Sequence, residues 1–200
     1  MIELFTAATP NGYKASIVLE ELGLPYRLRV LDLARHEQRE DWYLAINPNG
    51  RIPAIVDHAP ADGGAPLSVF ESGAILQYLG RKFGKFYPTD ERQRVDVDQW
   101  LFWQMGSAPF LGGGFGHFYA YAPTKIEYAI DRFAMEVKRQ LDVLDRRLAQ
   151  SEYLAGPDYS IADIANWTWT KNPPAYDLDP EDFPNVKRWI KAIAARPTVK

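Results

Sequence analysis

A change of character near residue 85 constrains this chain more than any other feature. Up to that point short β-rich runs alternate with helical patterns, and after Pro88 the sequence reads as helices separated by Gly and Pro clusters. The switch predicts an α/β domain over residues 1–86 and an all-helical domain over residues 87–200. Met1 to Phe5 reads as a strand; Ala15, Val18, Leu19 and Leu22 recur at helical spacing until Gly23, and Tyr26 to Asp32 alternates as a second strand. That opening is a βαβ unit, which pairs its strands in parallel. A loosely helical stretch from Gln38 to Leu44 ends at Asn47-Pro48-Asn49-Gly50. Ile52 to Asp57 and Pro66 to Phe70 are then strands, and the Asp62-Gly63-Gly64 turn between them predicts an antiparallel hairpin. Ser72 begins a helix through Ile75, Leu76 and Leu79, completing the order βαβαββα.

In the second part, Ile126, Ile130, Phe133, Val137, Leu141, Leu144 and Leu148 keep one apolar face over about six turns, the pattern of a bundle's central helix. Val95 to Met105 reads as another helix, rich in Trp and Phe, running into Gly112-Gly113-Gly114, which reads as a mobile or ligand-shaped loop. Ser160-Ile161-Ala162-Asp163 matches a capping box, with Asp in the Glu position, opening a helix through Trp167. Phe183-Pro184 starts a last helix that ends near Arg196-Pro197.

Composition removes several classes of function. At 200 residues with 46% apolar content, the chain has enough material for a substantial core. Its net charge of -3 comes from interspersed signs without a basic run, which argues against nucleic acid and anionic membranes as partners. The N-terminal segment carries Glu3 where a signal peptide has positive charge, and no apolar run approaches a bilayer's thickness, so the expected location is the cytoplasm. There is no cysteine, hence no disulfide framework, no thiolate metal site and no cysteine nucleophile. Any thiol chemistry has to be brought in by a ligand, and no metal is expected.

Four segments carry a specific resemblance in their order and spacing: Thr9-Pro10-Asn11-Gly12, Asn47 through Asp57 with Ile52-Pro53 at its centre, Phe70-Glu71-Ser72-Gly73-Ala74-Ile75, and Ser160 through Ala165. With them the chain resembles a glutathione transferase over essentially its whole length, most closely the bacterial nu-class, disulfide-bond-oxidoreductase branch. The resemblance implies a thioredoxin-like N-terminal domain, an all-helical C-terminal domain, glutathione as cosubstrate, and a homodimer.

It also implies site residues. In the family the proline at the position of Pro53 is cis, which leaves the N–H and C=O of Ile52 to pair with the cysteinyl amide of an extended tripeptide. An ordinary trans proline at a strand start is the alternative. Glu71-Ser72 lies where a strand gives way to a helix. Ser72 can cap that helix while the N–H groups beyond it attract the γ-glutamyl carboxylate, and Glu71 accepts from the same group's ammonium. A plain capping Ser beside an exposed Glu is the competing reading. Gln38 and Arg51 are placed by the resemblance at the peptide or glycyl end, with a solvated surface cation as the alternative for Arg51. Arg132 follows Tyr128-Ala129-Ile130-Asp131 and is a glutathione contact by resemblance alone; periodicity makes it a solvent-facing charge.

Reactivity rests on the glutathione sulfur as thiolate, whose pKa a helix N-terminus and nearby donors lower. The segment Thr9 to Tyr13 is expected to precede the first helix and to supply both, with the Thr9 hydroxyl and Asn11 amide as donors and Tyr13 in reserve. Turn and N-cap chemistry suits Thr9 and Asn11 equally well. The expected activity is glutathione-dependent disulfide exchange on a small-molecule disulfide. Conjugation of an electrophile or reduction of a peroxide is the enzymatic alternative, and a glutathione-binding regulatory protein without turnover the non-enzymatic one. Trp100, Phe102, Trp103, Phe110, Phe115, Phe118, Tyr119 and Tyr121 suit either an apolar pocket or a helical core.

Overall fold

The computed structural model describes residues 1–172 and 178–199. They form two compact units, Met1–Thr89 and a second beginning at Asp90.

The first unit is built on a four-stranded sheet in the order β2-β1-β3-β4, from β1 (Ile2–Thr6), β2 (Tyr26–Val30), β3 (Ala54–Asp57) and β4 (Leu67–Phe70). β1 runs parallel to β2 and antiparallel to β3, and β3 and β4 form the antiparallel hairpin that the Asp62-Gly63-Gly64 turn predicts. Gly63 takes a φ of 71° in that turn, and the Asp62 carboxylate accepts from the Gly64 N–H at 3.0 Å. α1 (Pro10–Leu22) and α3 (Ser72–Phe83) pack against each other. Their Ala15, Val18 and Leu19, and Ile75, Leu76 and Leu79, have no exposed surface. Each large aliphatic chain buried in this way contributes roughly 1.5 to 3 kcal/mol. α1 stops where Gly23 adopts a φ of 65° and Leu24 N–H reaches back to the Leu19 carbonyl, the left-handed ending that glycine tolerates best. The stretch between β2 and β3 holds a 3-10 turn, Glu37–Arg39, and the short α2 (Asp41–Leu44), where Tyr43 joins Phe5, Leu31 and Ala54 in one buried cluster.

Asp57, at the end of β3, is fully buried and accepts hydrogen bonds from the Tyr78 hydroxyl at 2.5 Å and from the Lys82 ammonium. Burial works to raise its pKa, but the bonds from Lys82 and Tyr78 outweigh it and hold the carboxyl below its ordinary range. The same contact pushes the Tyr78 hydroxyl up, burial being the larger cause. This triad ties the sheet to α3.

The second unit is helical: α4 (Glu91–Ala108), a π-helical segment (Pro109–Tyr121), α5 (Glu127–Leu148), α6 (Ile161–Thr170) and α7 (Pro184–Ala194). Two differences from the sequence reading stand out. α4 starts four residues before Val95, and Gly112-Gly113-Gly114 is not a loop but part of a wide helix. The reason is packing: a Cβ on Gly112 would lie 2.3 Å from the Trp169 ring, and one on Gly114 2.3 Å from the Phe133 ring. Glycine lets this segment seat directly on α6 and α5. Phe115 is buried with Leu111 and Val137, whereas Phe102, Tyr119 and Tyr121 are exposed, so the aromatic run splits between core and surface.

α5 is buried over its C-terminal half, through Val137, Gln140, Leu141, Leu144 and Leu148, while Ile126 at its start is exposed. Asp145 on α5 caps α7 from outside, accepting from Asn185 N–H at 2.8 Å and Val186 N–H at 3.0 Å. At α6 the capping box is complete: Ser160 Oγ accepts from Ala162 N–H, and the Asp163 carboxylate returns to Ser160 N–H at 3.0 Å. Asp163 also accepts from Leu154 N–H and from Trp189 Nε1, both at 2.9 Å, which fastens α7 and the preceding loop to the same carboxylate. Burial pushes the Asp163 pKa up to about 6 against these three bonds and a fourth from the Ser160 hydroxyl at 3.1 Å.

Candidate functional site

Strand register brings the scattered motifs of the first unit together. Ala54 pairs with Phe5 on one side and with Phe70 on the other. The residues just beyond those strand ends, Ala7 to Thr9, Ile52-Pro53 and Glu71-Ser72, therefore lie at the same end of the sheet. The Ile52-Pro53 peptide is cis. Ile52 is half-buried and precedes the ladder, which begins at Ala54, so its peptide groups lie outside the sheet's own hydrogen bonding. The bend before it is anchored by Tyr43 Oη and Asn47 Nδ2, each donating to the Arg51 carbonyl at 2.6 Å. Burial pushes the Tyr43 hydroxyl up to about 12, with the Asn47 contact working the other way, so the phenol stays a donor. The Arg51 side chain itself is exposed.

Gln38 is half-buried beside this bend, and a Cβ on Gly50 would lie 3.2 Å from the Gln38 carbonyl. Among the described residues its side-chain oxygen Oε1 is buried without a hydrogen-bond partner, a costly state that a ligand N–H relieves.

At the head of α3 the arrangement differs from the expected serine cap. Glu71, not Ser72, occupies the cap position, and Ser72 is the first helical residue. Glu71 has a φ of 70° and a ψ of 119°, a backbone region that side-chain-bearing residues rarely occupy, and makes no side-chain bond to the helix start. Its carboxylate instead lies exposed with Asn49 Nδ2 at 3.5 Å from Oε1. The first turn of α3 thus points its N–H groups, and the positive end of its dipole, out of the sheet end without a carboxylate cap of its own.

α1 begins earlier than expected. Pro10 is already helical, so Asn11 and Tyr13 stand inside the first turns and not before the helix. Only Thr9 precedes it, as the N-cap whose hydroxyl accepts from Gly12 N–H at 3.1 Å. The early start follows from Pro at the first helical position and from Gly12: a Cβ there would lie 2.1 Å from the Ala7 carbonyl, so only glycine lets the preceding turn fold against the helix. Asn11 is half-buried and Tyr13 exposed.

One residue of this region escaped sequence reading. Lys14 has no exposed surface, and its Nζ donates to Ser72 Oγ at 3.3 Å, joining α1 to the head of α3. The available signal was a lysine four residues before Val18, on the side of α1 that is buried. Arg132 belongs to the second unit: it is half-exposed on α5 and 3.9 Å from Glu136, which Arg139 holds more closely at 2.6 Å.

A cis proline entering an antiparallel strand, a strained Glu-Ser pair heading the next helix and a Thr-capped helix after β1 can hold an extended, zwitterionic peptide by its backbone and its charged end. Two family models match this chain: Glutathione S-transferase, N-terminal domain, over residues 9–82, and Glutathione S-transferase, C-terminal domain, over residues 102–197. Disulfide-bond oxidoreductase YfcG of Escherichia coli strain K12 is 49% identical over 98% of this chain and 92% of its own length. Disulfide-bond oxidoreductase YghU of the same strain is 48% identical over 100% of this chain and 73% of its own. The chain belongs to the glutathione S-transferase family. Among solved structures of the family, glutathione transferase YghU from Streptococcus pneumoniae ATCC 700669, complexed with glutathione, superposes with a TM-score of 0.94 at 47% identity, covering 99% of this chain and 80% of that one. A glutathione transferase from Pseudomonas putida, with one glutathione disulfide bound per subunit, gives 0.92 at 38% identity over 99% and 88%.

Proposed function

We propose that this protein is a glutathione-dependent disulfide-bond oxidoreductase of the nu-class type, in which the bound tripeptide supplies the reactive sulfur. The observation that carries the reading is the common sheet end where the cis Ile52-Pro53 peptide faces the uncapped head of α3 at Glu71-Ser72. The γ-glutamyl carboxylate takes the N–H groups of that first turn and the Ser72 hydroxyl. Its ammonium takes the Glu71 carboxylate, the Ile52 peptide pairs with the cysteinyl amide, and Gln38 Oε1 accepts from a peptide N–H toward the glycyl end, where Arg51 lies. Thr9 spends an oxygen lone pair on Gly12 N–H, and its hydroxyl proton serves the sulfur. Asn11 adds a second neutral donor, with Tyr13 in reserve. The two relatives named as disulfide-bond oxidoreductases and the bound glutathione disulfide of the Pseudomonas putida protein support the redox form.

The chain has no cysteine, so every sulfur in the reaction belongs to a ligand. The bound thiolate attacks one sulfur of the substrate disulfide, forming a mixed disulfide and releasing the other half as thiolate. A second glutathione thiolate then attacks the glutathione sulfur of that mixed disulfide, giving glutathione disulfide and the second reduced half. Two glutathiones lose one electron each and the substrate gains both. A homodimer acting in the cytoplasm, and an Arg132 contact to glutathione, complete the proposal.

The test is turnover of hydroxyethyl disulfide with glutathione in an assay coupled to glutathione reductase, beside calorimetric titration with glutathione disulfide. Turnover together with glutathione disulfide binding at least comparable to glutathione is the expected result. Conjugation of an electrophile, without disulfide turnover and with weak binding of the oxidised form, would replace this reading with that of a conjugating transferase.

A further inference from the structure

Two buried side chains converge on one carbonyl at the bend before β3, and the reading above gives neither a part in binding. Tyr43 has no exposed surface and Asn47 is 2% exposed. Both donate to the Arg51 carbonyl oxygen, Tyr43 Oη at 2.6 Å and Asn47 Nδ2 at 2.6 Å. That oxygen has two lone pairs, and the pair of donors uses both. The Asn47 amide cannot be turned end for end, because its Oδ1 accepts from the Asn49 N–H at 3.0 Å and leaves Nδ2 for the carbonyl. Its main chain is held as well: the Asn47 N–H donates to the Tyr43 carbonyl at 2.8 Å, and the Asn47 carbonyl accepts from the Gly50 N–H at 3.0 Å. Burial pushes the Tyr43 pKa up to about 12 against the Asn47 contact, so the phenol keeps its proton at neutral pH.

Satisfying a buried carbonyl takes one donor. A single hydrogen bond lets the peptide plane tilt about it, whereas two donors reaching the same oxygen from different residues fix the plane. The consequence falls on the next residue. The Arg51 carbonyl and the Ile52 N–H belong to one planar trans peptide, so they point in opposite directions. Donors that hold the carbonyl toward Tyr43 and Asn47 therefore hold the Ile52 N–H away from them. Ile52 precedes the ladder, which begins at Ala54, so this N–H is not directed by strand pairing. Donation to the carbonyl also polarises the peptide and makes its N–H a stronger donor.

We propose that Tyr43 and Asn47 are positioning residues for glutathione: by gripping the Arg51 carbonyl they aim the Ile52 N–H at the cysteinyl carbonyl of the bound tripeptide and strengthen it as a donor. The inference rests on the glutathione reading above. Neither side chain touches the ligand; both act through one peptide plane. The residue whose carbonyl is held this way also carries the sulfur, so the same plane sets how the thiolate approaches Thr9.

The experiment titrates the intact protein calorimetrically with S-methylglutathione, whose blocked sulfur removes thiol ionisation. The comparison ligand is the same molecule with a trans alkene in place of the cysteinyl–glycyl peptide, which keeps the shape and lacks the carbonyl. The wild type is expected to bind the alkene more weakly than S-methylglutathione. Tyr43→Phe, which removes only the hydroxyl, is expected to bind S-methylglutathione about threefold more weakly, and Tyr43→Phe with Asn47→Ala about tenfold more weakly, while both bind the alkene as the wild type does. An equal loss on the two ligands would assign the pair a structural role only and overturn the proposal. If the double variant does not fold, Tyr43→Phe decides alone: a loss confined to S-methylglutathione supports the proposal, and unchanged affinity overturns it. A wild type that binds both ligands equally would overturn it too, with the glutathione reading intact. Failure of the wild type to bind S-methylglutathione at all would instead remove the glutathione reading, and this role with it.

Discussion

Two helix starts in this molecule have nearly the same ingredients, a serine and an acid, and opposite outcomes. At α6, Ser160 and Asp163 turn their oxygens inward and satisfy the helix's own first turn, the Leu154 N–H and the Trp189 indole. At α3, Glu71 takes the cap position with a φ of 70° and leaves the first turn without a side-chain cap. The difference lies in the order of the two residues. An acid three positions after the serine folds back onto the helix, whereas an acid immediately before it points away from the N–H groups. The first arrangement closes a helix end for stability. The second leaves it open at a cost in backbone strain, and it is there that the proposed function seats the carboxylate and ammonium of the γ-glutamyl group.

The largest expected effect is on the closed end. Asp163→Ala leaves the Leu154 and Ser160 N–H groups and the Trp189 indole without their acceptor, and at about 1 to 3 kcal/mol for each buried orphan the loss should reach at least about 3 kcal/mol in a urea unfolding curve. A midpoint unchanged from wild type would break the comparison from the structural side.

The open end should respond in affinity. Glu71→Gly relieves the positive φ and removes the acceptor for the ammonium, so unfolding stability should rise by about 1 kcal/mol while glutathione affinity falls by roughly 1 to 3 kcal/mol. Stability and binding moving in opposite directions is the signature to look for, by thermal unfolding and calorimetry on the same preparation. If both fall together, Glu71 is a structural cap after all.

The smallest effects concern the sulfur end. Asn11→Ala should raise the pKa of the bound thiol, read from thiolate absorbance against pH, and lower turnover about tenfold for one lost donor, with glutathione affinity little changed. Tyr13→Phe should lower turnover less than Asn11→Ala. A collapse of turnover in that variant would move the thiolate donor to Tyr13.

Much of this organisation is readable from local pattern. The βαβ opening, the hairpin at Asp62-Gly63-Gly64 and the capping box at Ser160 depend on residues within a few positions of one another, and turn chemistry and periodicity report them directly. The Gly112-Gly113-Gly114 segment misleads for the same reason: glycine marks loops locally, but here it makes room for Trp169 and Phe133, which are distant in sequence. Apolar periodicity shows α1 only from Ala15, which leaves Thr9 to Tyr13 ahead of the helix, whereas Gly12 packed against Ala7 lets the helix begin at Pro10.

By itself, the sequence determined the element order, the absence of any protein thiol and the motifs that resemble those of glutathione transferases, because these are properties of short segments and of composition. Only the tertiary structure decided that Glu71 rather than Ser72 stands at the cap, that Gln38 holds a buried oxygen without a partner among the described residues, and that Lys14 reaches Ser72 across 58 positions of chain. Those facts follow from strand register and from α1 packing on α3. A buried charge has no periodic signature distinguishing it from a solvated one until the partner helix is in place.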